Sequence, residues 1–424
     1  MKDPRQIAYN LIEEWEVKST FPNLALKNAL RSVCNERDRR FITATVYGVV
    51  ERKITLDHFL KQCSDRKLEQ LSAAVLAVLR MGLYQMFYMD IPASAACNTS
   101  VDLIKKRGMA HSAGFVNAVL RRCDRERDTL LALKKADFSV RYSIDPELVD
   151  LLLDQYGKER FVSMMENLKN PDTSIYLFHN LKRGDRSEFL AAMQEEGLKL
   201  HETDLSGLYK VSHGFSVEQS PAYQNGWFHV VGRHSAEAAL FMPVDAKRIV
   251  DLCAAPGGKS FIMAARTQGE IFASDVHLHK VEQLQKNAER LGHCNVVARQ
   301  ADAAVLNDGL IELADVVLCD VPCSGLGIMG KKPDIKYKKY QSSEFTDLQY
   351  RILENGGKYL KPGGRLIYST CTIDRRENEL LVQKFLEKNK SFTYDDRALP
   401  DGYKIYLPEP GADGFFIAVL KKGE

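Results

Sequence analysis

Five short apolar runs in the second half of the chain constrain its fold more than any other feature: Arg248 to Leu252, Ile271 to Ser274, Val296 to Ala298, Val316 to Cys319 and Arg365 to Ser369. Helical patterns at 258 to 267, 277 to 291 and 344 to 360 lie between them. Parallel strands need long crossover connections, usually helices, so this alternation predicts a doubly wound parallel sheet. Such sheets bind ligands beyond the carboxyl ends of their strands. The regions of Asp251, Asp275, Asp320 and Cys371 would all gather at that edge.

The rest of the chain is organised differently. Residues 1 to 135 read as all-helical, with apolar positions at three- and four-residue spacing through Ala8, Leu11, Ile12 and Trp15 and through Leu71, Ala74, Val75, Val78 and Leu79. Pro92 and Gly108 punctuate it. An amphipathic helix from 145 to 170, through Leu148, Leu151, Leu152 and Tyr156, ends at Asn170-Pro171. A strand over Ile175 to Phe178, a helix over 186 to 196 and a strand from Gly197 to Leu200 follow. The expected organisation is multidomain: helices over 1–135, a small α+β module over 145–220 and an α/β domain over 225–424. A length of 424 residues suits roughly three domains at about 150 residues each.

No apolar run reaches the roughly 18 residues a membrane span needs. The N-terminus, Met-Lys-Asp-Pro-Arg-Gln, has no secretion-signal core. Nine cysteines, odd in number and dispersed, do not form a disulfide framework and fit a reducing cytoplasm. Without heptads or an internal repeat, a monomer is expected. The net charge of +3 hides an asymmetry, since residues 1 to 130 carry 21 Lys/Arg against 15 Asp/Glu. Lys105, Lys106, Arg107, Arg121 and Arg122 cluster there with Arg125 and Arg127, diluted by Asp124 and Glu126. Such a surface suits contact with phosphates, although on charge alone a solvated helix face explains it equally.

The chemistry-bearing motifs stand at the strand ends. Asp251 to Ser260 reads Asp-Leu-Cys-Ala-Ala-Pro-Gly-Gly-Lys-Ser: strand, tight turn, helix start. It ends as an ATP-type phosphate loop does. However, Cys253 stands where that loop needs glycine, and Pro256 interrupts the amides. What remains is a Pro-Gly-Gly turn that lets a cofactor approach the backbone. Asp275 ends the next strand 24 residues after Asp251 and is placed to accept both hydroxyls of a ribose. Asp302, after the third strand, suits an adenine amino group. Taken singly, each acid reads equally as a cap or turn aspartate.

Asp320-Val321-Pro322-Cys323 puts a carboxylate and a thiol at one strand end, and Cys371 follows the last run. Both thiols also admit a buried structural reading, which is the one given to Cys319. A metal site is not expected, since no CxxC pair or neighbouring histidine set accompanies them. Two thiols beside a nucleotide-type site suit covalent work on a pyrimidine. Carbon 5 of cytosine is a weak nucleophile until a thiolate adds at carbon 6. That thiol needs a pKa below about 8.5, and the base must be unstacked.

Asp-Leu-Cys-Ala-Ala-Pro-Gly-Gly-Lys, Asp-Val-Pro-Cys-Ser-Gly-Leu-Gly, Lys-Pro-Asp-Ile-Lys-Tyr, Ser-Thr-Cys-Thr and Asp-Gly-Phe-Phe occur in order. With them, residues 225 to 424 resemble the catalytic domain of the NOL1/NOP2/Sun family of RNA cytosine-5 methyltransferases. Glu36 to Arg40, Arg80 to Met86 and Gly114 to Arg121 resemble a NusB-type helical RNA-binding domain. Together they resemble a bacterial layout that acts on 16S ribosomal RNA of the small subunit.

The resemblance implies a Rossmann-like sheet, S-adenosyl-L-methionine as cofactor, a small RRM-like module and ribosomal RNA as partner. Its nucleophile falls on Cys371, and its second cysteine, which assists product release, on Cys323. DNA cytosine methyltransferases use a Pro-Cys thiol instead, so spacing alone leaves that choice open. Implied cofactor contacts are Cys253, Ala254, Ala255, Pro256, Gly257, Gly258, Lys259, Asp275, Asp302 and Asp320. Asp320 would also face the base, with Lys259 orienting it.

Three segments depart from the pattern: Gly232-Arg233-His234-Ser235 for Gln-Asp-x-Ser, Phe178-His179-Asn180 for Arg-Val-Asn, and Lys331-Lys332 where arginine is common. Two other readings compete. One is a NusB-like RNA-binding or ribosome-assembly factor with an idle transferase domain; the other is a DNA cytosine methyltransferase.

Overall fold

The computed structural model describes residues 3–18, 23–169, 174–211, 216–338 and 342–424. The expected helix stop at Asn170-Pro171 lies outside them. By internal contacts the chain forms two units, Met1–Gly157 with Lys332–Lys339, and Lys158–Lys331 with Tyr340–Glu424. The division falls within the helix Pro146–Leu168, where Gly157 has φ 71° and breaks the helical run.

The first unit is helical, as its periodicity predicts. Its centre is the helix Ala73–Tyr88, apolar on nearly every side, with 13 of its 16 residues buried. A helix of that kind must be surrounded. Pro4–Lys18, Glu36–Glu51, Ala93–Lys106 and Ala113–Arg125 surround it. Two polar residues interrupt its apolar character, buried Gln85 and buried Arg80, and Arg80 forks onto Asp57 at 2.7 and 2.9 Å while also pairing with Glu16.

One segment arrives from far along the chain. Pro333–Tyr337, from the Lys-Pro-Asp-Ile-Lys-Tyr block, folds with the helices rather than with the α/β sheet. Tyr337 Oη donates to the Glu51 carbonyl at 2.7 Å, lies 2.9 Å from Ser143 Oγ and receives the Lys53 N–H at 3.2 Å.

The second unit holds two sheets. The smaller is antiparallel: β1 (Ile175–His179), β2 (Leu200–Glu202), β3 (Leu208–Val211) and β4 (Phe228–Val230), in the order β2-β3-β1-β4. The helix Arg186–Glu195 opens on a capping box between Asp185 and Glu188 and buries Phe189 and Met193.

The larger sheet contains β5 (Arg248–Asp251), β6 (Glu270–Asp275), β7 (Val296–Gln300), β8 (Ala314–Asp320), β9 (Leu360–Thr370), β10 (Phe392–Tyr394), β11 (Tyr403–Tyr406) and β12 (Phe415–Lys422). Its order is β10-β12-β9-β8-β5-β6-β7, with β11 paired to β12. The five strands expected from the sequence are parallel to one another, and β12 joins β9 antiparallel. Side chains alternate between two cores. Ile249, Val316, Leu318 and Ile367 face one, whereas Val250, Val317, Cys319 and Leu366 face the other. Cys319 is therefore the core residue its position suggested.

Strand order reverses between β5 and β8. The carboxyl ends of those strands carry Asp251 and Asp320 and flank the topological switch point where ligands of such sheets bind. No helix of the described residues is long and apolar enough to cross a membrane.

Candidate active site

Asp320 ends β8 with both carboxylate oxygens engaged. Lys259 Nζ donates to Oδ2 at 2.6 Å and Ser369 Oγ donates to Oδ1 at 2.7 Å, yet the side chain stays 30% exposed. Lys259 belongs to the first turn of the helix Gly258–Arg266; its ammonium also reaches Ser235 Oγ at 3.2 Å and lies over the Phe415 ring. The sequence-predicted acid and lysine thus meet, and the lysine holds the carboxylate in one orientation.

Three residues beyond Asp320, the Sγ of Cys323 lies 3.3 Å from the Sγ of Cys371. Cys371 directly follows β9, so parallel neighbours deliver the two thiols to one edge. The Cys371 sulfur, together with burial, pushes the Cys323 thiol well above its ordinary pKa. Cys323 therefore keeps its proton and can donate it toward Cys371.

The loops carrying the thiols are clamped from a turn that sequence reasoning passed over. Buried Glu377 accepts the Ser324 N–H at 3.0 Å and Gln349 Nε2 at 2.7 Å, and Gln349 also donates to the Pro322 carbonyl at 2.9 Å. Its neighbour Asn378 accepts from Thr370 Oγ1 at 2.7 Å and donates to the Thr372 carbonyl at 3.0 Å. One residue steadies the Pro-Cys loop and the next steadies the Thr-Cys loop. The signal was present, since Arg-Arg-Glu-Asn-Glu begins four residues after Cys371. A charged run, however, reads as solvated surface.

Behind Cys371, backbones touch. The Gly327 N–H donates to the Cys371 carbonyl at 3.0 Å and the Gly414 N–H to the Gly327 carbonyl at 2.8 Å. A Cβ on Gly327 would lie 2.1 Å from the Gly414 oxygen. A Cβ on Gly414 would in turn lie 2.6 Å from the Ile373 side chain and 2.7 Å from the Gly327 Cα, which accounts for the glycine of the Asp-Gly-Phe-Phe block.

The predicted cofactor residues occupy the adjoining strand ends. In the loop Cys253 to Lys259, Gly257 has φ 108° and a Cβ there would strike the Phe261 ring at 2.3 Å. Asp251 is buried; one oxygen accepts from Ser260 Oγ at 2.6 Å and Oδ1 has no hydrogen-bond partner among the described residues. Burial pushes its pKa up to about 7. Asp275 is buried at the end of β6, accepting the His277 N–H at 3.0 Å.

Asp302 borders a cavity of about 290 Å³ with Leu252, Ser274, Ala301, Ala303 and Tyr359. An orphaned buried carboxylate oxygen, two further acids at or just after successive strands and an apolar cavity bordered by Asp302 fit an adenosine-bearing cofactor with a cationic tail. Burial raises the Cys253 thiol far above its usual pKa, making it a wall of that loop rather than a nucleophile.

A second cavity, of about 90 Å³, opens at Cys371 and is lined by Tyr176, Arg233, His234, Ser235, Lys331 and Phe415 among others. In the helical unit the basic cluster divides. Lys105 and Lys106 are exposed at the end of their helix. Arg107 pairs with Glu13, Arg122 with Glu126 and Asp65, and Arg121 donates to Asn117. None of the nine cysteines is in a disulfide, and no group of three or more potential metal ligands occurs among the described residues.

Comparison with known proteins agrees with this architecture. The family model for 16S rRNA methyltransferase RsmB/F matches residues 238–421, and that of the NusB family matches residues 2–125. A probable ribosomal RNA small subunit methyltransferase B of Synechocystis is 32% identical, with 100% of each chain covered. A protein of the same description from Bacillus subtilis is 33% identical over 99% of this chain and 98% of its own. The crystal structure of PH0851 superimposes with a TM-score of 0.80 over 100% of this chain and 99% of its own at 23% identity, a likeness of fold.

Proposed function

The chain belongs to the S-adenosylmethionine-dependent family of ribosomal RNA small subunit methyltransferase B, and from that membership we propose that it methylates carbon 5 of a cytosine in 16S ribosomal RNA through a covalent adduct of Cys371. The observation that carries this reading is the pair of sulfurs 3.3 Å apart beside a lysine-held Asp320. A single methyl transfer to a heteroatom needs neither thiol.

The Cys371 thiolate adds to carbon 6 of the unstacked base, which makes carbon 5 enamine-like. Asp320, fixed by Lys259 and Ser369, faces the ring-nitrogen and exocyclic-amine edge and holds the base in place by accepting from the amine. S-adenosylmethionine supplies the electrophilic methyl group that carbon 5 takes up. Asp275 holds the ribose hydroxyls, Asp302 the adenine amino group and the Cys253–Lys259 loop the intervening backbone approach. Loss of the carbon 5 proton then restores the double bond and expels Cys371, with the Cys323 S–H stabilising the departing thiolate. Lys105 and Lys106 offer phosphate contacts on the helical unit.

The test is labelled-methyl transfer to unmodified 16S ribosomal RNA by wild type and Cys371→Ala, followed by nucleoside analysis. 5-Methylcytosine from wild type alone is the expected result. Equal transfer by Cys371→Ala, or a methylated base other than 5-methylcytosine, overturns the proposal.

A further inference from the structure

The departure at Gly232-Arg233-His234-Ser235 places a histidine in the cavity that also holds Cys371. Arg233 lines the same cavity, but its guanidinium is engaged, forking onto Asp204 at 2.5 and 2.8 Å. His234 stays. It is only 6% exposed, and its ring lies flat on Tyr406 with centroids 3.9 Å apart and planes at 15°. Tyr406 is fixed in turn, because its hydroxyl donates to buried Glu237, one helical turn after His234, at 2.6 Å. Lys404 closes the same carboxylate at 3.1 Å. The ring is therefore held on its face and can present only an edge.

Resting on the reading above, we propose that His234 is the base that removes the carbon 5 proton after methyl transfer. The neutral imidazole nitrogen takes that proton. The C–H electron pair becomes the C5–C6 double bond, the C6–S bond breaks, and its electrons leave with the Cys371 sulfur as thiolate. The imidazolium returns the proton to solvent.

Cys323 cannot serve equally well as base, because it already holds its proton. His234 can, because burial depresses its pKa and leaves it neutral near pH 7. A neutral imidazole always keeps one ring nitrogen as an acceptor. The charged and titratable groups around the ring are Arg233 and Glu237 on its own helix, Lys404 and Tyr406 on β11, and Asp413, which is paired with Lys331 at 2.6 Å. Glu237 and Asp413 favour the imidazolium once it forms. Glu237 and Tyr406 are positioning residues.

The experiment uses the full chain and 16S ribosomal RNA tritiated at carbon 5 of cytosine, and compares wild type, His234→Gln and His234→Phe. His234→Phe keeps an aromatic ring to stack on Tyr406 and has no proton acceptor. Both variants are expected to bind S-adenosylmethionine normally by calorimetry and to form a denaturant-stable protein–RNA adduct. Tritium release should fall by about 100-fold or more, the usual scale for a general base. Wild-type release should decline as acid protonates His234, with that limb absent from the variants.

Tritium release by His234→Phe at the wild-type rate overturns this proposal alone, as does loss of the adduct in both variants. Failure of wild type to form 5-methylcytosine overturns the parent reading instead.

Discussion

Two thiols in contact do one job unless their surroundings make them unequal. Here the Cys371 sulfur and burial raise the Cys323 pKa, and that sulfur lies 3.3 Å away, within reach of the Cys323 S–H. A thiol donor beside a leaving thiolate accelerates departure more than attack. Cys323→Ala should therefore form the adduct and release it slowly. A denaturing gel with labelled RNA would show a retained band, and Cys371→Ala/Cys323→Ala should abolish it. A Cys323→Ala protein that turns over without a band would remove the assigned role.

At this scale the sequence was legible where a reactive group follows an apolar run, because strand ends gather at one edge. Asp251, Asp275, Asp320 and Cys371 all end or follow strands there. It was not legible where a group acts by being buried. Glu377 has the same chemistry as a surface glutamate in its sequence context, and only its fully buried position between two loops distinguishes it. His234 was visible as a departure, but its stack on Tyr406 joins positions 172 residues apart.

Elements show the same division. The parallel strands were readable because β5, β8 and the core of β9 are buried on both faces and so appear as continuous apolar runs. β12 is just as apolar, yet its antiparallel pairing with β9 is a long-range choice that no local pattern encodes. That strand brings Gly414 against Gly327, which carries its own prediction. The Cβ added by Gly327→Ala would collide with backbone oxygens at 2.1 and 2.8 Å, which cannot rotate away. Overpacking of this kind costs about 1–3 kcal/mol, and it would push the Pro-Cys loop off Cys371. A lowered thermal midpoint together with lowered kcat is expected; an unchanged kcat would show that the loop tolerates the shift.

The helix Ala73–Tyr88 offers a second element-scale test. Arg80 is buried among two carboxylates. Arg80→Ala strands both of them and should cost about 3–5 kcal/mol, whereas Arg80→Met, which keeps most of the volume, leaves the same acids unpaired with a smaller cavity. Urea unfolding of the full chain would read this. Equal, near-zero losses for both would mean that the acids find water on their own.

At the scale of the whole second unit, the small sheet is fastened to the doubly wound one by buried polar groups that no periodicity reveals. Asn180 Nδ2 donates to the Gly226 carbonyl at 2.8 Å and the Leu291 carbonyl at 2.7 Å, which gives a structural use to the asparagine that this segment shares with Arg-Val-Asn. Two histidines flank Phe261 at this seam, His229 at 5.7 Å and His293 at 5.9 Å between ring centroids. Burial lowers His229 to about 3 and His293 to about 4.

As pH falls below the ordinary histidine value of about 6.5, the unfolded chain takes up protons that the folded seam refuses. Each histidine then withdraws about 1.4 kcal/mol of stability per pH unit until its folded pKa is reached. Asp251 works in the opposite sense. Its folded pKa is raised to about 7, so its protonated form favours the fold at low pH and that contribution is lost as pH rises toward 7. Two histidines against one carboxyl leave a net loss on acidification. Replacing His293 isolates one of the terms. Neither ring nitrogen of His293 has a hydrogen-bond partner among the described residues, so His293→Leu gives up no bond. Relative to wild type, the variant should gain roughly 2 kcal/mol between pH 7.5 and pH 5 in urea unfolding, the loss expected over about 1.5 pH units below 6.5. A difference that stays constant across that range would mean that His293 takes up its proton alike in the folded and unfolded chains, and that the seam does not exclude its charge.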